Sequence, residues 1–176
     1  MFTPKTNYAK IAFDAILFFV STGQIRKTSE SKIPADLKLK MACIVSIYDL
    51  NDNLIGQYGD VNSKNDFLYD EIIENAIGAA SKDKDNVPIK NEQLNQIKVL
   101  VDVLSSPHKI EDKGELKPQK HGLIIKDKTG KTGFIMPNIK GIKTIDKQIE
   151  KVKSDYKITE DIENLELYYF KSTRYD

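Results

Sequence analysis

Residues 42–59 read ACIVSIYDLNDNLIGQYG. Two runs rich in β-branched and aromatic residues, 42–48 and 54–59, flank the turn-forming string DLNDN. This pattern predicts two strands joined as a β-hairpin, with Cys43, Val45 and Ile47 on one face and Ser46 on the other. Hairpin neighbours are antiparallel. The fold class therefore depends on what packs against this pair.

Helical patterns lie on both sides of the hairpin. Before it, Tyr8, Ile11, Ala12, Ala15, Phe18 and Phe19 recur at helical spacing. Thr3 is placed to cap that helix, Pro4 suits its first turn, and Gly23 suits its end. Residues 24–40 read as a long connection with one helical turn. After the hairpin, Leu68, Ile72, Ile73 and Ala76 predict a helix over about 66–81. Asn91 is placed to cap a short turn at 92–96. IKVLVDVLS (97–105) predicts a strand with Ile97, Val99, Val101 and Val103 on one face. A long polar loop through Pro107 and Pro118 follows. HGLIIKD (121–127) and KTGFIMP (131–137) predict a second hairpin. Thr144 begins a helix carrying Ile145, Ile149, Val152 and Tyr156. LELYYFK (165–171) predicts the closing strand. The class read from this order is α+β, with helices packed on a mainly antiparallel sheet and residues 1–176 forming one domain.

Composition narrows the chemistry. The chain has 176 residues, 40% of them hydrophobic and 30% charged, with a formal net charge of +1. That balance requires no acidic partner. Residues 113–157 hold twelve lysines against five acids, which reads first as a solvated face. Arg26 and Arg174 are the only arginines, so planar bidentate reading of phosphate or guanine has few candidates. Weak nucleic-acid binding through the lysine-rich half is the third functional alternative, and specific binding is not expected. The single cysteine, Cys43, excludes an internal disulfide and reads as a small buried apolar residue. The stretch 11–20 is too short to span a bilayer and no signal-peptide pattern is evident, so the expected location is the cytoplasm, without membrane attachment. His108 and His121 read as surface residues. No metal motif and no cofactor fingerprint emerge. DLNDN lacks the spacing of a calcium loop, and DKTGK (127–131) reads as a turn.

The strings above, taken in order, resemble the AMMECR domain family. The family signature L-R-G-C-I-G aligns with Leu54-Ile55-Gly56-Gln57-Tyr58-Gly59, after a strand matching Val45-Ser46-Ile47. DEIIENAIGAASKD (70–83) matches the helix that follows. VDVLSSPHKI (101–110), QKHGLII (119–125), GKTGFIMPNI (130–139) and LYYF (167–170) match later segments. The resemblance implies a two-lobed α+β domain whose signature lies in a cleft. It also implies the company of Memo-like and radical S-adenosylmethionine proteins in prokaryotes. The candidate cleft residues are Ser46, Ile55, Gly56, Gln57, Tyr58, Gly59 and Asp83.

Two departures bear on chemistry. The signature arginine and cysteine are Ile55 and Gln57 here, and the family's D-P-R-F is Asp83-Lys84-Asp85-Asn86. A cysteine beside an arginine can be an activated nucleophile, and an arginine pair can clamp an anion. Glutamine, isoleucine and aspartate do neither. The favoured expectation is a non-catalytic or partner-dependent domain that binds a protein or small ligand at a remodelled cleft. The alternative is an enzyme component of the radical-chemistry system.

Overall fold

The structure, a computed structural model, describes residues 3–176. By internal contacts, residues up to Val103 together with Thr173–Asp176 form one compact unit, and Leu104–Ser172 form a second.

In the first unit, helix α1 (Asn7–Thr22) buries Ala9, Ala12, Phe13 and Ile16. Its cap is Thr6, whose hydroxyl accepts from Ala9 N at 3.3 Å, and not Thr3. The main-chain N–H groups of Lys5 and Thr6 donate to the Asp176 carbonyl at 2.9 and 2.8 Å. That holds residues 5 and 6 outside the helix. At the other end Gly23 takes a left-handed conformation, φ 71°, and its N–H closes onto Phe19 O, as the sequence predicts. The connection after it contains two single 3₁₀ turns, 30–32 and 35–37. Helix α2 (Leu68–Ser81) starts two residues later than predicted. No side chain caps it, and the Leu39 carbonyl accepts Leu68 N–H at 2.8 Å instead.

Strands β1 (Cys43–Asp49) and β2 (Leu54–Gly59) form the predicted hairpin. Ile47 pairs with Gly56 and Tyr48 with Leu54, so Ile55 is the extra residue of a bulge. Asp49 closes the turn: its Oδ1 accepts from Asn51 N and Asn53 N at 2.8 and 2.9 Å. The oxygen-rich DLNDN string is thus spent on its own backbone. Strand β3 (Ile97–Leu104) pairs antiparallel with β1 along its length. The short turn before it spans 91–96, and Lys90 rather than Asn91 is its cap, with the Gln93 side chain accepting Lys90 N–H.

The second unit contains β4 (His108–Lys109), β5 (Gly122–Lys126), β6 (Thr132–Ile135), helix α3 (Ile145–Tyr156) and β7 (Glu166–Phe170). Asp127 closes the β5–β6 turn as Asp49 closes the first: its Oδ1 accepts from Thr129 N, Thr129 Oγ1 and Lys131 N at 2.6–2.9 Å. Thr144 caps α3 through Lys147 N, as expected. A last strand, β8 (Ser172–Tyr175), follows β7 after one residue.

The strands form two four-stranded sheets, ordered β2-β1-β3-β8 and β4-β7-β5-β6. The α+β class expected from the sequence is the class found, but with two sheets instead of one. Each sheet buries one face under helix. Cys43, Val45, Ile47, Val99 and Val101 join Ile16, Ile72 and Ala76 in the first core. Leu123, Ile125, Leu167, Ile149 and Val152 form the second. Burying one such aliphatic side chain contributes ~1.5–3 kcal/mol. An exposed ion pair such as Lys151–Asp155 (2.6 Å) adds only ~0.3–0.5 kcal/mol. Packing therefore decides stability. No helix among the described residues is long and apolar enough to cross a membrane.

Candidate functional site

Strand β2 lies at the edge of its sheet and carries the signature positions. Gly56 is buried against α2. A Cβ there would strike the carbonyl oxygen of Ala79, so the glycine is what allows the helix to approach the strand. Tyr58 faces the same helix. Its ring occupies the space that a Cβ on Gly78 would fill, and Lys64 Nζ lies 5.6 Å from its centroid. Gly59 has φ 138°, and a Cβ there would meet Cys43 O and the Ile44 backbone. Ile55, the bulge residue, is half-buried against the first core.

Gln57 points the other way and is exposed. It sits opposite Ser46 in the ladder, and its side-chain Nε2 donates to Ser46 Oγ at 2.9 Å. Its backbone N–H, directed off the sheet edge, donates to Asp83 Oδ2 at 2.6 Å. Asp83 also accepts from Asp85 N and Asn86 Nδ2, each at 2.9 Å. Burial pulls the Asp83 carboxyl upward, but these donors outweigh it and hold its pKa below the usual carboxylate value. Three of the expected residues, Ser46, Gln57 and Asp83, therefore converge in one hydrogen-bonded chain. Tyr58 and Gly56 serve the packing of α2 on the opposite face.

The chemistry open to this chain is limited. Ser46 is fully buried, and its partner is an amide that donates to it. A nucleophilic serine needs a base that accepts its proton. Cys43 is also fully buried. Burial pushes its pKa up to about 12, against a lowering from the Asn75 hydrogen bond, so almost no thiolate exists near neutrality. No group of three His, Cys, Asp or Glu side chains able to hold a metal occurs among the described residues.

Other polar clusters escaped the sequence reading. Glu71, 1% exposed, accepts at Oε2 from Lys64 N, Asn65 N and Asn65 Nδ2 at 2.9–3.0 Å. Asn75, one helical turn on, donates to Glu71 Oε1 and to Cys43 O. This pair ties the loop after β2 and the start of β1 to α2. Spacing shows only that Glu71 and Asn75 stand at i and i+4 on the face that also carries Leu68, Ile72 and Ala76; the loop they hold is not marked in it. On the face of β3 opposite its valines, Asp102 receives a bidentate contact from Arg174 of β8, with Arg174 Nη2 to Asp102 Oδ2 at 2.8 Å.

In the second unit the two histidines flank one ring. His108 and His121 stack against Tyr169 at centroid distances of 5.2 and 4.5 Å. His108 lies directly opposite Tyr169 in the β4–β7 ladder. Desolvation, with nearby Lys171, lowers the pKa of His121. Sequence separation hid this grouping, since it depends on β4, a two-residue strand read as loop.

Comparison with known proteins agrees with the architecture. A protein of Thermotoga maritima is 32% identical over 169 residues, covering 96% of each chain. A Clostridium acetobutylicum protein is 30% identical over 147 residues, which are 83% of this chain but 31% of that one. The crystal structure of an uncharacterized protein from Pyrococcus horikoshii superposes with a TM-score of 0.84, covering 95% of this chain and 88% of that one at 22% identity; it shares the fold. The AMMECR1 family model matches residues 9–175, and the chain belongs to the AMMECR1 family.

Proposed function

We propose that this AMMECR1-family chain works as a binding domain, acting through a protein partner and not through covalent chemistry of its own at the signature strand. The observation that carries this reading is the state of Gln57. At the position where the family pattern has cysteine stands an amide whose side-chain N–H groups and backbone N–H hold Ser46 and Asp83. An amide has no pKa suited to acid–base work near neutrality.

What β2 offers is recognition. It is an edge strand, with Gln57 exposed and Leu54 41% exposed. Asp83 already accepts the outward N–H of Gln57 and the Ile55 bulge interrupts the strand, so what the edge presents to a partner is the exposed side chains of Leu54 and Gln57. The family resemblance suggests a Memo-like or radical S-adenosylmethionine protein as that partner.

The test is to mix the purified chain with the Memo-like and radical S-adenosylmethionine proteins of the same genome and measure complex formation by calorimetry. The expected result is a complex that Leu54→Asp weakens while the melting temperature holds. Turnover by the chain alone that Gln57→Ala removes while the variant remains folded would overturn the reading. So would the absence of any complex.

A further inference from the structure

Away from the signature strand, a pocket of about 100 Å³ opens between α1, α2 and the segment that follows α1. Its apolar walls are Ile11 and Ala15 of α1 and Ile73 and Ile77 of α2. Their spacing, four residues apart on each helix, places each pair on one helical face.

Four polar residues complete the lining: Asp14, Arg26, Thr28 and Tyr69. Arg26 is exposed, and its guanidinium lies 4.8 Å from the centroid of the Phe18 ring. Among the described residues no ion pair engages Arg26 or Asp14. The Phe18 face holds the cation without neutralising it. Thr28 Oγ1 and Tyr69 OH share a hydrogen bond at 2.9 Å. Whichever hydroxyl donates, the other keeps a proton to give to a ligand. The pocket thus combines an apolar slot, a cation and a hydroxyl donor on one hand, and a carboxylate on the other.

We propose that this pocket binds a free aliphatic α-amino acid. The α-carboxylate pairs with Arg26 and the spare hydroxyl, the α-ammonium pairs with Asp14, and the side chain enters the slot between the four aliphatic residues. The size limits the side chain. The whole pocket, polar lining included, holds about 100 Å³, less than the apolar cavity of about 150 Å³ that takes up benzene, so it admits at most a small branched aliphatic group, with the charged groups of the ligand at the exposed Arg26 and Asp14. A simple carboxylate would leave Asp14 as an uncompensated like charge, and a simple amine would do the same with Arg26. The zwitterion satisfies both.

The site is independent of the β2 edge, and its test uses the same chain without any partner protein. Calorimetric titration with L-leucine or L-valine is expected to show saturable one-site binding, with methyl NMR shifts at Ile73 and Ile77. Isovalerate lacks the ammonium and leucinamide lacks the carboxylate; each is expected to bind about two- to fivefold more weakly, as the loss of one solvent-exposed charge pair implies. Arg26→Ala and Asp14→Asn should each weaken leucine binding by about two- to fivefold. Both residues are exposed, so the unliganded melt should stay unchanged. No saturable binding up to the solubility of leucine would overturn the proposal. So would isovalerate binding that equals leucine, or leucine binding indifferent to Arg26→Ala.

Discussion

The side-chain amide of Gln57 donates to the hydroxyl of Ser46 at 2.9 Å across the β1–β2 ladder, joining an exposed residue to a fully buried one. Gln57→Ala removes the one side-chain partner of that hydroxyl among the described residues and leaves the Asp83 contact, which is made by the backbone, in place. A lost hydrogen bond with a buried group left unsatisfied costs about 1–2 kcal/mol. Urea unfolding of Gln57→Ala should show that loss with an unchanged m-value. The double variant Gln57→Ala/Ser46→Ala should lose less than the sum of the singles, because the orphaned hydroxyl is gone. Additive losses would mean that the two side chains do not interact in solution.

Gly56→Val should destabilise by about 1–3 kcal/mol or more through overpacking. The obstacle is the Ala79 carbonyl, a backbone atom of α2 that cannot rotate aside. Gly114→Ala is the control. Its added Cβ meets only the Asp112 side chain, at 3.5 Å, and the variant should melt with the wild type. Equal melting of the Gly56 and Gly114 variants would remove the close-approach argument.

Cys43 should resist thiol reagents in the folded state, with labelling paced by unfolding. Its raised pKa also makes a pH prediction. An unfolded thiol ionises near 8.5, whereas the folded thiol holds its proton up to about pH 12. Between those values the unfolded state binds fewer protons, so stability falls as pH rises. The contribution is fully present below the unfolded pKa. Wild type should lose more stability than Cys43→Ala between pH 9 and 11, values inside that window. Parallel pH curves for the two proteins would contradict the burial argument.

Glu71→Ala should cost about 2–4 kcal/mol, because the N–H groups of Lys64 and Asn65 and the buried Asn75 amide lose a charged acceptor. Glu71→Gln should cost less, since its amide oxygen can still accept from Lys64 N and Asn65 N. Hydrogen exchange offers the sharper readout. The amides of Lys64 and Asn65 should lose protection in Glu71→Ala more than the amides of β1 do. Uniform loss across the unit would point to global destabilisation instead of a local tether.

The elements that rest on local chemistry were legible in the sequence. The β1–β2 hairpin followed from β-branched runs around a turn, and α3 from Thr144 and the Ile145–Ile149–Val152 spacing. What failed depended on distant partners. Thr3 looked like the cap of α1 because nothing nearby announced that Asp176 O would hold Lys5 and Thr6. Strand β8 was unread because STRY continues LYYF with one lysine between. The break is made by Ser105, whose hydroxyl accepts from Lys171 N while its own N–H donates to Lys171 O. Of the candidate residues, Ser46, Gln57 and Asp83 are joined by hydrogen bonds, whereas Gly56 and Tyr58 turn to α2. The pairing of Glu71 with the loop after β2, and of both histidines with Tyr169, required three-dimensional register that spacing alone does not carry.

Strand β8 has a consequence for the order of events during synthesis. The first unit takes its last strand from Thr173–Asp176, after the chain has run through the whole of Leu104–Ser172. As the ribosome emits the chain, β3 emerges with its β8 side unpaired, and Asp102 waits for Arg174. The second unit is contiguous, so all of its residues emerge before Thr173–Asp176 do. The first unit is therefore finished only after the second has been made, and its exposed β3 edge is what a nascent-chain chaperone would have to shield until β8 leaves the exit tunnel.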